Sequence, residues 1–285
     1  MKGGDMGVTE TYPFQVGAFE CIAVNDLART VPAAGIVTNI SAEEWQRALV
    51  EHGCSPTETT RYFNCLYLRA GDYRVLVDTG WGKGGERGEG MLLERLLGAG
   101  IAPADVDVVV LTHLDGDHVG GITMPGGQFA FPNADYVVSE EAWDLWTDGT
   151  RAAQMPERQA SLARQTLERI QGRLEVVPAE AEFLPGLTLL SAPGHRPGHV
   201  ALSVASEGAL LYHLADAVGH PILMEHPSWH WSFDSWPEQA EKDRRRLLGL
   251  AAERGALVFA SHLPFPALGH VVAEGEGWRW QPVAG

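Results

Sequence analysis

Residues with metal-binding side chains are densest between positions 113 and 118, where the chain reads His-Leu-Asp-Gly-Asp-His. Residues two apart point to the same side of an extended segment, and a glycine lets the chain turn sharply after them. Imidazole and carboxylate groups are the usual ligands of zinc, iron and manganese. Burying two carboxylates and two imidazoles without a cation would be costly, so we interpret this segment as a metal-binding motif.

Further polar side chains stand where other apolar runs of the sequence end. They are Asp78, His195, His199, Asp216 and His262. Functional side chains commonly lie on loops that a rigid sheet holds in place, so we expect these positions to meet the motif at 113–118. The sequence has no Gly-x-Ser-x-Gly motif and its three cysteines lie outside these clusters, which argues against a serine or cysteine nucleophile.

The elements that must position these residues are mixed strands and helices along the whole chain. One strand is predicted at 14–24, a helix from Ser41 to Gly53, and a hairpin from the runs 63–68 and 73–77. The other predicted helices are 89–98, 140–146, 156–171 and 236–254, and the other predicted strands are 106–111, 174–177, 187–191, 200–205, 209–214 and 256–260. This pattern predicts sheets covered by helices.

We expect a single domain over residues 1–285, with an N-terminal extension and first strand at 1–35. Of the 285 residues 45% are hydrophobic, which suffices for a large core. The net charge of −16 and the lack of a basic patch argue against nucleic acid as a partner. No secretory h-region or long apolar stretch is present, so we expect a cytoplasmic protein that does not enter a membrane.

The order of these motifs resembles that of the metallo-β-lactamase superfamily. The matching segments are Asp78-Thr79-Gly80, 113–118, 192–199, Ala215-Asp216 and Ser261-His262. Residues 260–275 are similar to methyl parathion hydrolase and its relatives, a branch that lies near the N-acyl homoserine lactonases. The resemblance implies an α/β (α+β) fold, the αββα four-layer sandwich, with the site at one edge between the two sheets.

The resemblance also implies a site for two divalent metal ions, with zinc expected first. One ion would be held by His113, Asp115 and His195, the second by Asp117, His118 and His262, and both by a bridging Asp216. Asp78 would orient ligands from beneath the site, and His199 would be structural.

One residue departs from the family pattern. Where this chain has Asp115, the family has histidine. A third carboxylate favours a harder ion, so manganese and iron are alternatives to zinc. A single metal held by Asp117, His118, Asp216 and His262 is a further alternative.

The function implied by the resemblance is hydrolysis by a hydroxide that bridges two metals. Asp117 would also carry a proton to the leaving group. The resemblance implies an ester, a lactone or an organophosphate triester as the substrate. The acidic chain, which repels polyanions, agrees with a small neutral or apolar substrate. The aromatic segment 229–233 is expected either to pack in the core or to line the pocket.

Two other functional classes stay open because of Asp115. One is an oxidoreductase with a carboxylate-rich iron site, and the other is a catalytically silent, metal-binding member of the superfamily. A homodimer is the candidate assembly, with the N-terminal segment to Pro32 as its candidate contact.

Overall fold

The structure, a computed structural model, describes residues 10–83 and 89–283. Within those residues lie two seven-stranded β-sheets, in each of which neighbours in the chain are neighbours in the sheet. The first sheet consists of β1 (Thr11–Val16), β2 (Phe19–Pro32), β3 (Glu58–Ala70), β4 (Tyr73–Val77), β5 (Val108–Val110), β6 (Asp135–Ser139) and β7 (Leu174–Val177). The second consists of β8 (Glu182–Leu184), β9 (Leu187–Ser191), β10 (Val200–Ser206), β11 (Ala209–His213), β12 (Leu257–Phe259), β13 (Leu268–Glu274) and β14 (Gly277–Pro282).

Helices connect and cover these strands. They are α1 (Ala42–Glu51), α2 (Leu92–Gly98), α3 (Gly116–Val119), α4 (Glu140–Thr147), α5 (Gly149–Ala152), α6 (Glu157–Ile170), α7 (Ile222–Glu225) and α8 (Pro237–Arg254). The hydroxyl of Ser41 accepts a hydrogen bond from the Glu44 backbone N–H at 3.1 Å, which satisfies an exposed donor at the start of α1 as its sequence predicts.

The core follows from the alternation of side chains along the strands. In β3, Leu66 and Leu68 face the second sheet, whereas Cys65 and Tyr67 face the helices on the other side. The same core between the sheets includes apolar side chains of β9 to β12, such as Leu202. Each sheet therefore buries its inner face against the other.

The outer faces are covered by helices. Leu96 of α2, Leu145 of α4 and Leu167 of α6 pack on the outside of the first sheet. Leu247 and Leu248 of α8 are buried against the second sheet. The layers are thus helix, sheet, sheet and helix, which confirms the αββα sandwich that the sequence predicts.

Most predicted elements agree with the structure to within two residues at each end, and the strand predicted at 63–68 extends over Glu58–Ala70. Two further differences have a local cause. The single strand predicted at 14–24 is wrong, because Gly17 adopts a left-handed φ of 57° and turns the chain, so that β1 and β2 form an antiparallel hairpin. The helix predicted at 89–98 begins only at Leu92, whose backbone N–H donates to the buried Asp26 carboxylate at 2.9 Å.

The predicted N-terminal extension carries two strands of the first sheet, and its residues 1–9 lie outside the described part of the chain. Its place in a single domain stays a prediction. Across residues 10–83 and 89–283, no helix combines the length and the apolar character needed to cross a membrane.

Candidate metal centre

Loops that follow strands of both sheets carry the predicted ligands to one place. Asp78 directly follows β4, and residues 113–118 lie beyond β5, which runs parallel to β4. Asp216 and His262 lie beyond β11 and β12, a second parallel pair, and His195 lies between β9 and β10. Parallel neighbours end at the same edge of a sheet, so these loops meet there.

The first group of ligand atoms, subsite 1, is formed by His113, Asp115 and His195. The Nε2 atoms of His113 and His195 lie 3.9 Å and 4.0 Å from Asp115 Oδ2. The ligand atoms of a tetrahedral zinc ion lie roughly 3.4 Å apart, given its bond lengths of about 2.1 Å. Small movements would therefore bring these three atoms onto one ion.

The second group, subsite 2, is formed by Asp117, His118 and His262. Asp117 Oδ2 lies 4.0 Å from His118 Nε2 and 3.7 Å from His262 Nε2. These separations are as compatible with a single ion as those of subsite 1.

Asp216 lies between the two subsites. Its Oδ1 is 3.2 Å from His118 Nε2, and its Oδ2 is 2.9 Å from His262 Nε2. The same Oδ2 is 3.3 Å from His195 Nε2 and 4.0 Å from His113 Nε2. One carboxylate thus faces both ligand groups, as a bridging ligand must.

The four histidines of the two subsites each use Nδ1 for a hydrogen bond and turn Nε2 toward the centre. The Nδ1 partners are Thr112 Oγ1 for His113 (3.1 Å), Asp78 Oδ2 for His118 (2.7 Å), Asp234 Oδ1 for His195 (3.0 Å) and the Tyr62 carbonyl for His262 (2.7 Å). Metal-ligating histidines almost always show this arrangement, because the Nδ1 bond fixes the tautomer and the ring.

Several atoms at the centre lack the hydrogen bonds that buried polar atoms normally make. Within the described residues, His113 Nε2, His118 Nε2 and Asp216 Oδ1 are buried and accept or donate none. A cation between them would use the lone pairs of all three atoms. The donor set of imidazoles and carboxylates therefore fits two divalent metal ions.

Burial and neighbouring charge set the protonation of these groups. Desolvation lowers the pKa of His113 and His195 well below its usual range, which leaves neutral imidazole, the metal-binding form. Burial opposes ionisation of Asp216, but the surrounding imidazoles outweigh it and hold its pKa well below the usual value. Burial also disfavours the charged form of His118, yet Asp216 and Asp78 raise its pKa. A metal ion would take the place of that proton.

His199 lies behind the centre, in none of the candidate ligand groups of the described chain. Its Nδ1 donates to the Ala192 carbonyl at 2.9 Å, and its Nε2 accepts from the Asp216 backbone N–H at 3.1 Å. Burial lowers its pKa to about 4, so the ring is neutral and can make both bonds. It holds the backbone that presents Asp216.

Several supporting residues are not predicted from the sequence, and Asp234 and Arg196 are two of them. Asp234 accepts a hydrogen bond from His195 and another, at 3.2 Å, from the buried Arg244. Burial raises the pKa of Asp234 to about 7, although the positive charges of Arg244 and Arg196 oppose this rise. Arg196 bonds to Asp115. Asp234 is 39 residues from His195 in the chain, and Arg196 is 81 residues from Asp115, so no local sequence pattern indicates either contact.

A cavity of about 250 Å³ opens onto both subsites. Trp81, Leu162 and Phe233 form apolar parts of its wall, and the guanidinium of Arg61 lies 4.2 Å above the Phe233 ring. Of the aromatic segment 229–233, Phe233 thus lines the cavity, while Trp231 is buried behind it and stacks on His195 at 5.3 Å.

Comparisons with known proteins agree with this fold. The family model described as the Metallo-beta-lactamase superfamily matches residues 59–262. An N-acyl homoserine lactonase of Bacillus cereus is 28% identical over 218 residues, which cover 70% of this chain and 80% of that protein. The solved structure of AidC, described as a dizinc quorum-quenching lactonase, matches with a TM-score of 0.89 and 25% identity over 96% of this chain and 98% of its own. The hydrolase AbOPH matches with a TM-score of 0.85 and 25% identity over 97% and 98%.

Since the family model spans more than half of the chain, this protein belongs to the metallo-β-lactamase superfamily. It is a metal-dependent hydrolase of that superfamily with candidate ligands for two divalent metals. The family, the fold class and the enzyme class predicted from the sequence are confirmed. The cytoplasmic location and the homodimer stay predictions.

Proposed function

We propose that this chain hydrolyses a small neutral ester, lactone or organophosphate triester at a centre of two zinc ions, whose ligands are His113, Asp115, Asp117, His118, His195, Asp216 and His262. One observation carries the proposal: two groups of candidate ligands lie on either side of the Asp216 carboxylate, and an open cavity reaches both groups. When bound, two metal ions supply a nucleophile at neutral pH and polarise the oxygen of the scissile group. The lactonase relatives support the choice of substrate.

The chain's own residues would bind the substrate and move the proton. Trp81, Leu162 and Phe233 offer apolar surface for the acyl or alkyl part of a substrate. Arg61 lies in the same wall, and its N–H groups suit the acceptor oxygens that esters, lactones and phosphotriesters share. Asp117 also lines the cavity, where its carboxylate can pass a proton to the leaving oxygen.

The test is metal analysis and turnover on the full chain reconstituted with zinc. We expect close to two zinc ions per chain and hydrolysis of lactones, aryl esters or phosphotriesters. His262→Ala should lower turnover at least about 100-fold by removing a ligand. The matched control is His270→Ala, because His270 likewise bonds a carbonyl through Nδ1, that of Ala256 at 3.1 Å, but lies outside the ligand groups.

A protein that retains less than one zinc per chain after reconstitution would contradict the proposal, as would full turnover in His262→Ala. A strong preference for negatively charged esters over matched neutral ones would contradict the proposal that the substrate is neutral, but it would not contradict the proposal that the protein is a hydrolase.

The second candidate is an iron-dependent oxidoreductase. The observation in its favour is the presence of three carboxylates, Asp115, Asp117 and Asp216, around the two subsites. The oxidoreductase would be supported if the purified chain holds iron, shows an iron absorption band and takes up oxygen with a reduced substrate. It should then hydrolyse none of the lactones, aryl esters and phosphotriesters. Metal binding without turnover of either kind would indicate a silent member.

A further inference from the structure

The carboxylate that departs from the family pattern is bound by an arginine. Arg196 Nε lies 3.1 Å from Asp115 Oδ1 and 2.9 Å from Oδ2, and Arg196 Nη2 lies 2.8 Å from Oδ2. Both side chains are largely buried, with exposed fractions of 10% for Arg196 and 20% for Asp115. Hydrogen bonds between a guanidinium and a carboxylate in this two-point geometry fix the direction as well as the position of the carboxylate.

The guanidinium is itself held from its other side. Arg196 Nη1 donates to the carbonyl of His195 at 2.9 Å, to the carbonyl of Phe233, and to the hydroxyl of Ser235 at 3.3 Å. The arginine therefore presents a fixed pair of donors to Asp115. A lysine at this position would supply the charge without the planar fork.

The charge balance at subsite 1 also indicates a role for Arg196. Aspartate in place of a neutral histidine adds one negative charge beside Asp117 and Asp216, and Arg196 adds one positive charge at 2.8 Å from it. The pair is therefore neutral as a unit, as an imidazole is. Asp115 Oδ2 is also the oxygen that faces His113 Nε2 and His195 Nε2.

We propose that Arg196 is a positioning residue for subsite 1, and that the Asp115–Arg196 pair together replaces the motif histidine of the family. Arg196 aims Asp115 Oδ2 at the ion and cancels the added charge. The inference rests on the two-metal centre of the proposed function. According to this inference, the metal affinity of subsite 1 depends on Arg196, although Arg196 is not itself a ligand.

The experiment is a double-mutant cycle on the full chain, with wild type, Asp115→His, Arg196→Gln and the double variant. The zinc dissociation constants are measured by competition with a chelator, and the melting temperature of each metal-free protein is recorded. Arg196→Gln removes repulsion between the guanidinium and the ion in every background, but it removes the alignment of Asp115 only where Asp115 is present. A non-additive result therefore isolates the pair.

We expect Arg196→Gln to weaken zinc binding at least tenfold in the wild type and to strengthen it in the Asp115→His background. Asp115→His alone should also lower the melting temperature of the metal-free protein, because it leaves a buried guanidinium without its carboxylate, and the second substitution should recover it. Arg196→Lys should keep the weak affinity of Arg196→Gln. If Asp115→His does not fold, Asp115→Asn takes its place in the cycle.

The control is Arg158→Gln, which removes a positive charge from the wall of the same cavity. It should change zinc affinity by the same factor in the wild type and in the Asp115→His background. Equal factors for Arg196→Gln in the two backgrounds, or wild-type affinity in Arg196→Lys, would overturn the inference while the metal centre stands. Wild-type protein that binds less than one zinc would overturn the proposed function and the inference together.

Discussion

The three carboxylates of the candidate centre differ in their contacts and in their exposure to solvent. Asp115 is held by Arg196, and Asp216 lies between the subsites with only 4% of its side chain exposed. Asp117 is 13% exposed, lines the cavity and approaches the histidines of one subsite only. These surroundings support the proposal that Asp117, rather than Asp115 or Asp216, exchanges a proton with the substrate.

Asp117→Asn should therefore lower kcat by about 100-fold or more, the usual contribution of a positioned general acid or base. The amide oxygen can still face subsite 2, so zinc content should fall much less than kcat. Both quantities are measured on the same zinc-loaded preparation. Asp144→Asn, on the exposed side of α4, is the matched control and should leave both unchanged. Undiminished kcat in Asp117→Asn would exclude the proton-transfer role.

The segment 113–118 indicates metal binding from its residue types alone, because imidazole and carboxylate at this spacing have few other uses, whereas the division of seven candidate ligands between two ions is implied by the family resemblance. The supporting partners of these ligands could not be predicted from the sequence. Asp234 is an ordinary aspartate in the sequence, and its role arises only when the loop beyond β11 folds back over His195. The Tyr62 carbonyl that orients His262 carries no sequence signal, since any residue supplies a carbonyl.

Among the elements, the loop between β9 and β10 is packed closely against two helices. It carries His195, Arg196 and His199, and its two glycines touch helices directly. A Cβ at Gly194 would lie 2.1 Å from the backbone nitrogen of Ala240 in α8, and one at Gly198 would lie 2.3 Å from that of Ala142 in α4.

Gly198→Ala should destabilise the metal-free protein by about 1–3 kcal/mol more than Gly208→Ala does. Both glycines have a left-handed φ, 74° and 82°, so both variants carry the same backbone strain. Only Gly198 has backbone within 4 Å of the added methyl group, since nothing described lies that close at Gly208. Urea unfolding of the two variants measures the difference, and equal midpoints would show that the loop can shift away from α4.

The elements themselves were predicted best where periodicity is strong. The α6 and α8 helices lie within a residue of their predicted ends because their apolar residues recur at helical spacing. The hairpin of β13 and β14 was missed, although Gly275, at a φ of 60°, marks its turn. Its strand residues are mostly exposed or half-buried, so hydrophobic alternation indicates them poorly.

At the scale of the whole molecule, the centre joins the two sheets. The loop beyond β5 of the first sheet supplies His113, Asp115, Asp117 and His118, and loops of the second sheet supply His195, Asp216 and His262. The family resemblance predicted this arrangement, because the motifs occur in the family's order. Residue patterns alone predicted only sheets covered by helices.

Removal of metal should therefore destabilise the entire fold. Saturating zinc, at about 100 times its dissociation constant, adds roughly 2.7 kcal/mol per site, and we expect the melting temperature to rise by at least about 5 °C over the chelated protein. His262→Ala should lose about half of that rise, and His270→Ala should keep all of it. The melting temperatures are measured by calorimetry with and without chelator. Equal melting temperatures of the zinc-loaded and chelated proteins would contradict a centre shared by both sheets.

The distribution of the ligands along the chain also has a consequence for biosynthesis. When the first 118 residues have left the ribosome, four of the seven candidate ligands are present, and they are divided between the two subsites. The remaining ligands emerge only between His195 and His262, and parallel pairing of β11 with β12 must bring the last two together. Such long-range pairing is slow. A centre that contains all seven candidate ligands can therefore form only after β11 has paired with β12, late in the folding of the chain.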